Sequence, residues 1–142
     1  MTPVHVERTP SGEFVASNER GASVKIGSVT QDGVFSPVEL LLIAVGACNL
    51  VTVEPLTAQR GHRLPRLAMS VTAEKAAPTL LESVTVTYEV ELPESLSPEK
   101  FAEIAERVHH RHCTVTRSLE HGTPVKLNLP TAGDADQLST WT

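Results

Sequence analysis

The apolar positions of this chain change rhythm several times. In the first third they come in short β-branched bursts, Val4 to Glu7, Glu13 to Ser17 and Ala22 to Ile26, separated by Ser11-Gly12 and Arg20-Gly21. Short runs between turn formers predict strands, and their spacing predicts an antiparallel meander. The pattern then becomes continuous. Leu40, Leu41, Leu42, Ile43, Ala44, Val45, Ala47, Leu50, Val51, Val53 and Leu56 occupy nearly every face of one helix, which predicts a helix covered on most sides. Its start is written in Ser36-Pro37-Val38-Glu39: a serine N-cap, a proline at the first helical position and an acid three residues after the cap. That is a capping box with a preorganised first turn. Pro55 is expected to kink or end the helix, and Gly61 to stop it.

Two alternating segments follow. Arg66 to Lys75 puts Leu67, Met69, Val71 and Ala73 on one face of a strand. Leu80 to Leu92 turns either Val84, Val86 and Tyr88 or Thr85, Thr87 and Glu89 inward, with Ala76-Ala77-Pro78 as the turn between the strands. Ser97-Pro98 repeats the helix-start signal. Phe101, Ile104, Ala105, Val108 and His112 then recur at helical spacing, predicting an amphipathic helix that ends near His112-Cys113. A helical turn from Thr116 to His121 and a strand from Thr123 to Leu129 would close a single domain over residues 1–130. Residues 131–142 are expected to be a flexible C-terminal tail. This order of elements predicts an α+β fold with antiparallel sheets, a long buried central helix and a second amphipathic helix. A helix that is apolar all round is awkward for so short a chain, and a second subunit is expected to cover part of it.

Composition narrows the function. The five aromatic residues, Phe14, Phe35, Tyr88, Phe101 and Trp141, are too few for a base-stacking surface. The net charge of −5 argues against phosphate binding, so no nucleic-acid partner is expected. The most apolar stretch, Leu40 to Ala47, is too short to span a bilayer, and Met1 to His5 has no signal-peptide pattern. A cytoplasmic protein with no membrane association is expected. In such a compartment Cys48 and Cys113 are either buried hydrophobes or redox groups rather than a structural staple.

Cys48 lies about three turns into the apolar helix, within Gly46-Ala47-Cys48-Asn49. Small neighbours leave room there for a small ligand or a second sulfur, although the position equally suits a small core residue. Cys113 stands at a helix end among His109, His110, Arg111, His112 and Arg117, where cations and a following helical turn lower a thiol pKa. It can also be read as a capping residue beside a solvated basic face. A metal held by His109, His112 and Cys113 is conceivable, but adjacent histidines diverge on a helix and no CxxC, HxxxH or HExxH spacing occurs. No resident metal or other cofactor is expected. Nucleophile-elbow, P-loop and dinucleotide-binding patterns are absent.

Ser36-Pro37-Val38-Glu39-Leu40-Leu41-Leu42-Ile43-Ala44-Val45-Gly46-Ala47-Cys48 closely resembles the first-cysteine helix of the OsmC/Ohr family, the osmotically inducible and organic hydroperoxide resistance proteins. His112-Cys113-Thr114-Val115-Thr116-Arg117-Ser118-Leu119 is similar to the family's second-cysteine segment, and the elements between follow the family's order. Val38 stands where the hydroperoxide-resistance branch has its acid, and Thr114 where it has proline, so the chain resembles the broader OsmC-like branch. The resemblance implies an intertwined homodimer with both cysteines near the subunit interface. It implies a thiol peroxidase for organic hydroperoxides in oxidative or osmotic stress defence. Cys48 would attack, Cys113 would resolve the product as a disulfide, and an external dithiol or lipoyl-type reductant would restore both. Arg20 would supply a cation to the thiol and Glu39 would hold that arginine. The alternative is a non-catalytic small-molecule binding or redox-sensing dimer.

Overall fold

The computed structural model describes residues 1–130. The segment expected to form a flexible tail, 131–142, lies outside the described residues. Strands β1 (His5–Arg8), β2 (Phe14–Ser17) and β3 (Ser23–Ile26) form an antiparallel meander in sequence order. The β2–β3 turn closes on Gly21, whose φ of 94° is a conformation that a side chain would strain. Helix α1 spans Pro37–Gln59. Strands β4 (Arg66–Ala77) and β5 (Leu80–Glu91) form a long antiparallel hairpin, with register shifts near Lys75. Helix α2 (Pro98–Arg107), a π-helical turn (Val108–His112) and helix α3 (Thr114–His121) complete the α+β fold.

Local chemistry explains the start of α1. The Ser36 side chain accepts from the Glu39 N–H at 3.2 Å, and the Ser36 N–H donates to the Glu39 carboxylate at 2.9 Å. This reciprocal pair satisfies two backbone donors that the helix itself cannot. Gly61, with φ of 78°, follows the C-cap Arg60 and turns the chain out of the helix as expected. Pro55, by contrast, does not end α1. It lies on the exposed side near Val51, while Val53 and Thr57 on the inner side stay buried and hold the last turns onto the core. The helical segment is therefore longer than the Leu40–Ala47 run suggested. At 23 residues and a hydropathy of 1.8 it is long and apolar enough to cross a membrane by length and composition. Its capped start and its packing against β4, α2 and α3 make it the central helix of this fold.

The core joins Val53 of α1, Leu64, Leu96 and the inner face of α2 and the π turn, namely Phe101, Ile104 and Val108. Tyr88 and Val90 of β5 pack against it, so the Val84, Val86, Tyr88 face of that strand is the inward one. Gly46 sets how closely α1 meets the hairpin: a Cβ there would stand 2.8 Å from Val71 Cγ2 and 3.1 Å from Met69 Sδ. Small residues before Cys48 thus serve helix–sheet approach.

Two local expectations are corrected. Residues 123–130 form no strand; Val125, Leu127 and Leu129 are exposed, so alternation alone found no sheet edge to join. His112 is exposed rather than on the inner face of α2. The π turn is the reason. The Cys113 N–H bonds back to the Val108 carbonyl at 2.8 Å, five residues away, so the helix takes in one extra residue. That extra residue rotates Cys113, not His112, into the interior.

Tyr88 is the only tyrosine in the chain. Its ring meets Phe101 edge-on at 5.5 Å, and its buried hydroxyl has no hydrogen-bond partner among the described residues. Burial, reinforced by the nearby Cys113, pushes its pKa from 10.0 to about 12. Folding favours the neutral phenol. Its contribution to stability is therefore whole below pH 10 and is lost as pH rises through about 12. A spectrophotometric phenolate titration of the native protein should show one transition near pH 12; a midpoint at the free-tyrosine value would show that the ring is solvated.

Candidate active site

Helix α1 presents Cys48 half-buried, and the π turn delivers Cys113 fully buried beside it; both thiols are free. Cys48 lies close enough to raise the pKa of Cys113. The structure thus brings together the two cysteines singled out in the sequence, from elements far apart along the chain.

Cys113 occupies the N-cap of α3. Its Sγ accepts from the Thr116 N–H at 3.4 Å, while its thiol donates to Thr116 Oγ1 at 3.0 Å. Asn49 Nδ2 also donates to this sulfur, at 3.6 Å. Burial pushes the Cys113 thiol up from its ordinary value, the Thr116 hydrogen bonds pull it part of the way back, and Cys48 raises it again. The net shift is upward. This reverses the lowered pKa expected from the surrounding histidines and arginines. His110, Arg111, His112 and Arg117 are all exposed, so their charge is solvated and the interior thiol responds to burial.

Asn49 is the residue that sequence reasoning missed. It is fully buried, donates to the Val45 carbonyl at 2.8 Å as well as to Cys113, and faces His109 Nδ1 with its Oδ1 at 3.2 Å. The available signal was an amide directly after Cys48 in an otherwise apolar run. Thr116 was seen only as the start of a helical turn; its place three residues after Cys113 is the spacing of a helix cap.

Arg20 stands exposed in the β2–β3 turn, where its N–H bonds to Asn18 Oδ1 at 3.0 Å. The meander makes no substantial contact with the helices of its own chain among the described residues, and within one protomer Arg20 is not part of the thiol site. Glu39 gives one carboxylate oxygen to the cap of α1. It also borders a cleft of about 380 Å³ lined by Phe35, Leu42, Ile43, Gly46, Ala47, Leu50, Met69 and Val71. His112 and Cys113 face different surroundings, so the ligand trio of His109, His112 and Cys113 is not assembled.

A larger cleft of about 690 Å³ lies near the thiol pair, although neither cysteine lines it. Leu41 and Val45, on the Cys48 face of α1, line it together with Leu80, Leu81, Val84, Thr116 and Leu119. Thr116, the hydrogen-bond partner of Cys113, forms part of the wall. The aliphatic part of the wall is joined by Glu82, Ser83, His109 and Glu120, and the cleft reaches the thiol pair through Thr116.

Comparison with known proteins agrees with this architecture. The profile of the OsmC-like protein family matches residues 30–128. An uncharacterized protein of Mycobacterium tuberculosis is 32% identical over 136 residues, covering 94% of this chain and 99% of that protein. The OsmC-like protein from Mycoplasma pneumoniae superposes with a TM-score of 0.70 at 20% identity, over 92% of this chain and 94% of that one. The organic hydroperoxide resistance protein OhrB of Bacillus subtilis shares the fold with a TM-score of 0.57 at 19% identity, over 92% and 98% of the two chains. With the matched profile covering α1, the hairpin, α2 and the segment of Cys113, the chain belongs to the OsmC-like protein family.

Proposed function

We propose that this protein is a thiol-dependent peroxidase for organic hydroperoxides. The observation that carries the reading is that half-buried Cys48 lies close enough to buried Cys113 to act on its ionisation. Burial and Cys48 hold Cys113 in its neutral form, and half-buried Cys48 is the sulfur open to the peroxide and attacks. Its thiolate bonds to the terminal peroxide oxygen, the O–O bond breaks, and the departing alkoxide takes a proton to leave as an alcohol. Cys48 is oxidised to a sulfenic acid. The Cys113 sulfur then attacks Cys48, the S–S bond forms, and the sulfenic oxygen leaves as water with the Cys113 proton. An external dithiol, of the lipoyl or a similar type, returns both thiols by exchange. Alkyl groups gain from burial against Leu41, Val45, Leu80 and Leu81, at about 25 cal/mol per Å² of apolar area, and hydrogen peroxide gains nothing there.

The working unit is a homodimer. Ile43 and Val51 of α1, Phe14 of the meander and Phe35 are exposed in one protomer, and a three-stranded sheet without packing on one face is marginal alone. A second copy covers these surfaces, and the meander carries Arg20 toward the partner subunit. Steady-state consumption of cumene hydroperoxide and hydrogen peroxide with a dithiol reductant tests the activity. Faster turnover of the organic substrate is expected. Equal, reductant-only rates with and without protein would leave the non-catalytic binding reading in its place.

A further inference from the structure

Three side chains converge where the π turn meets α3, two of which, His109 and Glu120, also line the cleft of about 690 Å³. His109, His110 and Glu120 each bring one ligating atom to within 4.8 Å of the other two. We propose that this trio binds a single divalent transition ion of the zinc class.

The state of His109 supports this assignment. Asn49 Nδ2 is committed as a donor to the Val45 carbonyl, which fixes the amide so that Oδ1 faces His109. An amide oxygen accepts only, so His109 Nδ1 must carry the proton. Nε2 is then the ring nitrogen left for a metal. Metal-ligating histidines are oriented in this way, with one ring N–H given to a buried acceptor and the other nitrogen to the metal. His109 is half-buried and held by that bond, whereas His110 and Glu120 are exposed and can swing inward to complete the site.

The ligands come from two elements packed against each other, so the fold preforms their approach. The rings of His109 and His110 stand edge-to-face at 5.0 Å and 83°, an arrangement that keeps them from stacking shut. A polar groove of about 360 Å³, bordered by His110, Arg117, Glu120 and His121, leads to the cluster. Two imidazole nitrogens and one carboxylate leave one tetrahedral position for water. Nitrogen ligands favour zinc and its neighbours over magnesium or calcium, which require oxygen ligands.

The test uses untagged full-length protein, stripped by chelator and titrated with zinc chloride by calorimetry, with bound metal counted by plasma mass spectrometry. One zinc ion per chain is expected. His110→Ala and Glu120→Gln should each weaken binding by about 10-fold or more, and His112→Ala should leave it unchanged. Both ligands are exposed, so thermal midpoints without metal should match wild type and show that the loss is one of ligands. Wild type that takes up no stoichiometric zinc, variants that bind like wild type, or an equal loss in His112→Ala would each overturn the proposal. Peroxide turnover is not measured, so the outcome is independent of the thiol chemistry.

Discussion

Replacing Cys48 with serine is expected to lower the dithiol-dependent turnover of cumene hydroperoxide by about three orders of magnitude or more, the usual cost of deleting a nucleophile. The alcohol that replaces the thiol neither ionises near neutral pH nor accepts oxygen from a peroxide. Little else should change, because Cys48 is half-buried and the substitution is nearly isosteric. Cys113→Ser should behave differently. The first peroxide is still reduced, one equivalent of alcohol appears, and Cys48 is then stranded as a sulfenic acid open to further oxidation. A rapid-mixing experiment separates the two variants: no burst for Cys48→Ser, a single-equivalent burst for Cys113→Ser. Similar rates for wild type and Cys48→Ser would remove the enzymatic reading.

The second large effect concerns the core. Phe101→Ala is expected to cost about 3–5 kcal/mol, since it empties a buried site between α2 and the hairpin. It also removes the edge-on contact with Tyr88, leaving the buried phenol beside a cavity. Against a typical total of about 5–15 kcal/mol this is a large share, and the thermal midpoint should fall by roughly 10–20 °C. Protein concentration must be held fixed in the comparison, because the proposed dimer would contribute to apparent stability. A shift of only a degree or two would show that Phe101 is not a core anchor.

The parts of this fold legible in the sequence are those written in local chemistry. Ser36, Pro37 and Glu39 announce the start of α1 because a capping box needs those side chains at that spacing. The hairpin is legible because β4 and β5 alternate over 12 residues each. Features decided by tertiary context were not legible. Pro55 reads as a break until its placement on the exposed side is known. Val125, Leu127 and Leu129 read as a strand, but a strand needs a free edge to pair with. The π turn has no sequence signature, yet its one extra residue exchanges His112 for Cys113 in the interior.

The candidate site divides in the same way. Cys48 and Cys113 could be singled out because thiols are scarce in this chain and their surrounding motifs are specific. Their ionisation could not be read, because the many cations near Cys113 in sequence are exposed in space while the sulfur is buried. Asn49 escaped notice because its three partners, Val45, His109 and Cys113, meet only after folding. Arg20 and Glu39 lie on different elements of one protomer, and their approach to a thiol is a property of the proposed dimer.

The central claim is that Cys48 and Cys113 form one transient redox couple. Its most direct test is a thiol-blocked, non-reducing peptide map of the protein after one equivalent of cumene hydroperoxide. The expected result is a single Cys48–Cys113 disulfide that a dithiol fully reverses. Two freely alkylated cysteines, or Cys48 oxidised to a sulfinic acid with Cys113 still free, would contradict it.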